Sequence, residues 1–354
     1  MTICLSHGGT SIYSSSSPSS EVLVGTVGGV VSLKRKDSKH WEVGGMSLKE
    51  CHISALVVEP LSGLILAGAH NASLHTSMDS GKTWEPRNKG IAEKEIYSIN
   101  FVHAQGGTKL YAGTEPAHLY ESEDLGETWR DLPALRSVPG VPQWTFPAPP
   151  HAAHVKHIAF DPTNPKKIYA SIEVGGLLKT EDGGASWQEL SGFYEDVHRI
   201  VIRPSSPKCL YMTGGDGIYH SRDEGETWDH LTTRTMRIAY PDALVFHPRR
   251  EDLMFMAGAV SSPGIWRQTH TADSRIARTR DGGKSWEILH EGLPEHIRGN
   301  MEALALEAWD GSMSLFGATT DGDVFLSEDE GDHWTKVAEG LPPISKTGHY
   351  RNLQ

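Results

Sequence analysis

The chain has 354 residues, 38% hydrophobic and 22% charged, and a formal net charge of −12. An acidic balance with no cationic run longer than Lys34-Arg35-Lys36 argues against a phosphate-tracking surface, so no DNA or RNA partner is expected. Three dispersed cysteines, Cys4, Cys51 and Cys209, fit a reducing compartment better than a disulfide framework; with no leader-like start and no run of about 18 apolar residues, the chain reads as cytoplasmic, without a membrane partner.

Along the chain one eight-residue phrase returns at residues 77–84, 122–129, 180–187, 221–228, 279–286 and 327–334, with the pattern S/T-x-D-x-G-x-S/T/H-W. A degraded seventh copy ends at Trp41, where Lys36 and Ser38 replace the Asp and Gly. Successive tryptophans stand 43, 45, 58, 41, 58 and 48 residues apart, close to the roughly 40–50 residues of a four-stranded propeller blade. The phrase has the chemistry of a turn: Asp accepts from nearby backbone N–H groups, Gly takes a left-handed conformation, and Trp fills apolar space. Seven copies predict one all-β, seven-bladed propeller of four-stranded antiparallel blades across residues 1–354.

Upstream of each phrase lie two short β-rich runs, such as HVKHIAFDP followed by KKIYASIE, which read as the two inner strands of a blade. The innermost strand of the first blade must come from residues 2–6 or from 344–353, and pairing the chain ends would close the ring. Two insertions, about 136–153 and 261–274, join an outer strand to the next blade and a second strand to a third. Strand alternation puts both on the face opposite the turns, where long loops more often carry function.

Stacking the inner strands on Leu56, Ile99, Ile158, Ile200, Leu244 and Leu304 leaves Ser54, Tyr97, Lys156, His198, Asp242 and Glu302 two residues nearer the looped mouth. The next position adds His157 and Arg199. The second strands end on His70, Glu115 and Glu173 in three adjacent blades. Both rings should meet at the top of the channel. His70, Glu115, Glu173 and His198 are the ligand candidates for one divalent metal ion, Asp242 and Glu302 the catalytic proton-transfer groups with Lys156 beside them as a catalytic anion grip, and Arg199, His157 and Tyr97 the contacts to a small polar or anionic molecule. Trp266 and Arg267 would close over it from the second insertion. His52, His103, His118, His220 and His247 read as structural, because they sit at strand ends or outer positions.

The repeated phrase resembles the Asp-box, or BNR repeat, of sialidases, sortilin-type receptors, xyloglucanases and photosystem assembly propellers. That resemblance implies turns between third and fourth strands, on the face away from active sites, and leaves function open because unrelated activities share the scaffold. Sialidases carry an early Arg-Ile-Pro motif, which is absent here; the first arginine is Arg35. The expected activity is metal-assisted or acid–base hydrolysis or elimination at the channel mouth, a hydrolase or lyase. The alternatives are a non-catalytic propeller that binds a ligand or protein partner, and a glycosidase using paired carboxylates.

Overall fold

The computed structural model describes residues 2–37, 40–231 and 236–354. Seven sheets surround one axis, and each of the second to sixth blades is an antiparallel run of four consecutive strands. The fourth blade, Val155–Asp161, Asn164–Ile172, Gly176–Thr180 and Gln188–Leu190, is representative. Its inner strands read apolar because both faces are covered by neighbouring blades, whereas the outer strand is short and half exposed. Val155, Ile158, Ile168, Ala170, Ile172 and Leu178 pack with Tyr111 and Leu119 of the third blade.

Where the blades converge, the second strands carry small residues. A Cβ on Gly113 would lie 2.6 Å from Cβ of Val155, and one on Gly68 would lie 2.5 Å from Cγ2 of Ile96. Only glycine lets adjacent sheets approach that closely.

Each of the six intact boxes closes the turn before its outer strand in the same way. In the second blade Asp79 accepts from N of Lys82 and Thr83 at 3.0 and 2.9 Å and from the Thr83 hydroxyl at 2.7 Å. Trp84 donates to the Gly81 carbonyl at 3.0 Å. Ser38 of the degraded copy lies outside the described residues.

The first blade takes its innermost strand from Thr2–Leu5, which runs parallel to Glu21–Thr26. The chain then crosses the channel over residues 6–11 and runs parallel to Met301–Trp309 as Ile12–Ser14. One terminal segment therefore pairs with both the first and the last blade and closes the ring. It also fills the channel: N of Gly8 donates to the Ser54 carbonyl at 2.8 Å, and N of Ile99 to the Gly8 carbonyl at 3.1 Å. Residues 344–353 take no strand position; they fold over the opposite mouth and end in a short 3-10 helix, His349–Leu353. No described helix is long and apolar enough to cross a membrane.

Candidate functional site at the channel mouth

The inner strands of the second to seventh blades share one irregularity. Against its partner strand each skips one residue: Ser54, Tyr97, Lys156, His198, Asp242 and Glu302. A β-bulge at that level re-aims the extra side chain. Plain alternation would put Lys156 between the blades with Ile158; the bulge brings it into the channel, and His157 follows.

Lys156, Asp242 and Glu302 do meet, with Glu173, in a buried layer; all four are at most 1% exposed. Lys156 Nζ lies 3.2 Å from Glu173 and 3.3 Å from Asp242. A second ammonium enters from the terminal segment: Lys346, 0% exposed, donates to Glu173 Oε1 at 2.8 Å and Asp242 Oδ1 at 3.2 Å. Its backbone N–H donates to Glu302 Oε2 at 2.8 Å, and the Tyr240 ring lies 5.7 Å from its Nζ. Asn300 donates to Asp242 at 2.6 Å, and His349 Nδ1 lies 2.9 Å from Glu302.

Burial alone would push the Glu173 and Asp242 carboxyls up, but the Lys156 and Lys346 ammonium groups outweigh it and hold both well below the ordinary range. Burial opposes the charge on Lys346 as well, yet Asp242 and Glu173 keep it well above its usual value. The layer is charged and internally neutralised, the condition under which buried ions are tolerated.

The four metal-ligand candidates do not form one shell. His154, between Glu115 at 3.3 Å and Glu173 at 2.6 Å, bridges those two carboxylates. His198 holds the Pro241 carbonyl through Nδ1 at 2.7 Å and faces Asp196 at 3.2 Å. His70 donates through Nε2 to the Lys346 carbonyl. Among the described residues the groupings with ligand spacing are Glu173, Asp196 and His198, and Asp242, Glu302 and His349. Both include a carboxylate already taken by Lys346, and a divalent ion beside two ammonium groups meets like-charge repulsion. With Lys346 seated, an ion at either grouping would share a carboxylate with an ammonium group.

Arg199 and His157 lie deeper than a ligand at the mouth would reach. Arg199 donates to the Ser11 hydroxyl at 2.8 Å and to the His7 carbonyl, with His157 Nε2 at 3.2 Å. The expected anion grip instead clamps the channel-crossing segment. Trp266, expected to cover a ligand, is fully buried. It lies in helix α1, Pro263–Thr269, donates to the Ser261 carbonyl at 2.8 Å and meets Tyr240 and His349 edge-on at 5.8 and 5.5 Å. Arg267, on the same helix, is exposed and donates to Asn352 at 2.7 Å.

Above the ionic layer opens a cavity of about 650 Å³. Both insertions line it, through Phe146–Pro149 and through Ser262–Gly264 with Arg267, and residues 347–349, 351 and 352 form another wall. Tyr97, Tyr194, Tyr240, His52 and His70 supply rings, and Glu115, Glu173 and Asp196 supply carboxylates. Tyr97 stacks on His154 with centroids 3.5 Å apart, and among the described residues its hydroxyl has no hydrogen-bond partner.

Sequence reasoning missed the next ring outward. Four residues before the apolar register stand His52, Glu95, His154, Asp196, Tyr240 and Asn300, a uniformly polar or aromatic row that stacking the strands one step further would have shown. Of the five histidines read as structural, His52 lines the mouth and holds the Ser345 carbonyl at 2.9 Å. His103 and His118 lie 2.9 and 3.2 Å from Glu59 and Glu93, away from the channel. Lys346, His349 and His7 belong to no repeat and left no signal in the alignment of blades.

Two family profiles match parts of the chain: Sortilin, neurotensin receptor 3, over residues 175–304, and Photosynthesis system II assembly factor YCF48 over residues 33–157. Each covers less than half of the chain, and with the seven blades and their boxes they support a BNR-type propeller. The chain is a BNR-type seven-bladed propeller. This propeller is 22% identical to the photosystem II assembly lipoprotein Ycf48 of a Synechococcus species, over 84% of its own length and 78% of that protein's. It is 24% identical to a Paenibacillus xyloglucanase over 75% of its own length but 29% of the enzyme's. Against the solved GH74 xyloglucanase from Xanthomonas campestris it has 18% identity and a TM-score of 0.66, covering 95% of the propeller and 55% of the enzyme, a likeness of fold. The propeller thus spans under a third of the Paenibacillus xyloglucanase.

Proposed function

We propose that this propeller is a non-catalytic binding module whose mouth cavity receives a segment of a protein partner. The observation that carries the reading is the seat of Lys346: the chain's own ammonium group neutralises the carboxylates on which acid–base or metal chemistry would draw. What stays accessible is a cavity walled by tyrosine, phenylalanine and histidine rings with a few carboxylates, the mixture of apolar wall and placed polar groups that holds and orients a ligand. The coverage by relatives supports the same choice, since the propeller matches most of an assembly factor but a minor part of a xyloglucanase. Cys4, Cys51 and Cys209 are free thiols, which accords with placing the module in the cytoplasm.

One observation favours a second reading. Glu95 faces Glu115 across the strand pair; burial, with the charge and hydrogen bonding of Glu115, holds the Glu95 carboxyl up. Two carboxyls side by side, one of them lining the cavity, are the groups on which hydrolysis of a glycoside would draw.

Incubation with an array of twelve-residue peptides and with xyloglucan oligosaccharides separates the two. The binding reading expects peptide capture that is lost in Tyr194→Ala and no release of reducing sugar. Turnover of xyloglucan that disappears in Glu115→Gln overturns it.

A further inference from the structure

We infer that the seat of Lys346 is a lysine-recognition pocket, and that the partner segment brings a lysine side chain into it in place of residues 344–353. This rests on the binding reading above and adds the chemistry of the group recognised.

Four observations converge. The ammonium of Lys346 touches carboxylates from two blades, Glu173 and Asp242, beneath the Tyr240 ring. The contacts are single oxygens of two separate carboxylates, a pattern that suits independent ammonium donors rather than the bidentate fork of a guanidinium. The segment that brings Lys346 there is held without strand pairing. Its backbone contacts near the seat are the Lys346 N–H to Glu302, the Lys346 carbonyl to His70, the Ser345 carbonyl to His52 at 2.9 Å and the Ile344 N–H to the Thr319 carbonyl at 3.3 Å. Ile344 and Leu353 anchor its two ends in the core, but the stretch between them, outside any ladder, opens at lower cost than a paired strand.

The segment also forms a wall of the mouth cavity, so a ligand entering the cavity lies against the chain it would replace. The fourth observation is electrostatic. Without Lys346, the buried carboxylates of Glu173, Asp242 and Glu302, with Asp196 beside them, face Lys156 alone among the neighbouring ammonium groups. Such an excess calls for a replacement cation. The buried Tyr97 hydroxyl on the cavity wall, unpartnered among the described residues, gives an arriving peptide a hydrogen bond that the resident segment does not make.

The test uses the full chain carrying Lys346→Met and a fluorescein-labelled peptide of residues 343–350, PISKTGHY, together with the same peptide carrying Lys346→Met. Fluorescence anisotropy should show the lysine peptide binding the Lys346→Met protein at least about tenfold more tightly than its methionine counterpart, and binding the unaltered protein more weakly because the resident segment competes. Equal binding of the two peptides, or no binding to a Lys346→Met protein whose circular dichroism melt is cooperative, overturns the proposal. Should Lys346→Met not fold, Arg267→Ala with Asn352→Ala loosens the same segment without touching the seat, and the same preference for lysine is expected. Equal peptide binding that is still lost in Tyr194→Ala would sink the lysine pocket and keep the binding module. Hydrolysis of xyloglucan would sink the module itself.

Discussion

The two faces of the propeller use the same strands for opposite ends. On the box face six turns repeat one hydrogen-bond pattern almost atom for atom: Asp182 with Ser186 at 2.9 and 2.6 Å, Asp281 with Ser285 at the same distances. At the mouth, six bulges repeat one backbone irregularity but carry Ser, Tyr, Lys, His, Asp and Glu in turn. Repetition of side chains builds the ring, and repetition of backbone with divergent side chains builds a site. The box face should therefore respond alike in every blade and the mouth differently in each.

The largest effect is expected in the ionic layer. Asp242→Ala leaves two buried ammonium groups to share Glu173 and should cost about 3–5 kcal/mol, read as a lower denaturant midpoint with faster proteolysis within residues 340–354. Ser54→Ala, at the equivalent bulge, removes a hydroxyl bonded to the Gly68 carbonyl at 3.1 Å and should cost about 1 kcal/mol. Equal losses at these two positions would erase the distinction between the bulges.

On the box face, Asp182→Ala and Asp281→Ala should each cost about 1 kcal/mol and agree within about 0.5. Their carboxyls are pushed down to about 2 from 3.8, first by the Ser186 and Ser285 hydroxyls and then by backbone N–H groups. Because the folded value lies below the unfolded one, this stabilisation is complete above about pH 4 and drains away between about pH 4 and pH 2. Titration of the unfolding midpoint over that range should show the Asp182→Ala protein losing less than the unaltered one.

The mouth should carry its own signature at milder acidity. Burial, reinforced by His52, holds His70 well below 6.5, so below that pH the unfolded chain takes up a proton that the folded one refuses. Stability should fall as pH drops from about 6.5, and less steeply in His70→Gln. An unchanged slope would place that sensitivity on the other buried histidines.

The fold was legible because the box is local chemistry: eight residues determine their own turn, and six copies determine a ring. The bulge register was legible through composition, since Lys156, His198, Asp242 and Glu302 line up once the apolar positions are stacked. What the sequence hid follows from physics that a linear reading does not hold. The bulge breaks the alternation used to count faces, so a linear reading does not tell that Lys156 and His157 both turn into the channel. Helix α1 turns Trp266 inward although it lies in a polar insertion. Lys346 and Arg199 gain their roles from terminal segments that belong to no blade, so aligning blades with one another says nothing about what fills the channel.

The smallest expected change in stability is the most telling about the mouth. Tyr194 is 48% exposed and lines the cavity, while Met78, in a box turn on the other face, is 63% exposed. Neither side chain fills the core, so Tyr194→Ala and Met78→Ala should each shift stability by no more than about 0.5 kcal/mol. Their effects on capture of the lysine peptide by the Lys346→Met protein should part: a severalfold loss for Tyr194→Ala, because an exposed ring at a cavity rim supplies rigid contact area, and none for Met78→Ala. Parallel losses would mean that the peptide reads the general surface of the propeller rather than its mouth.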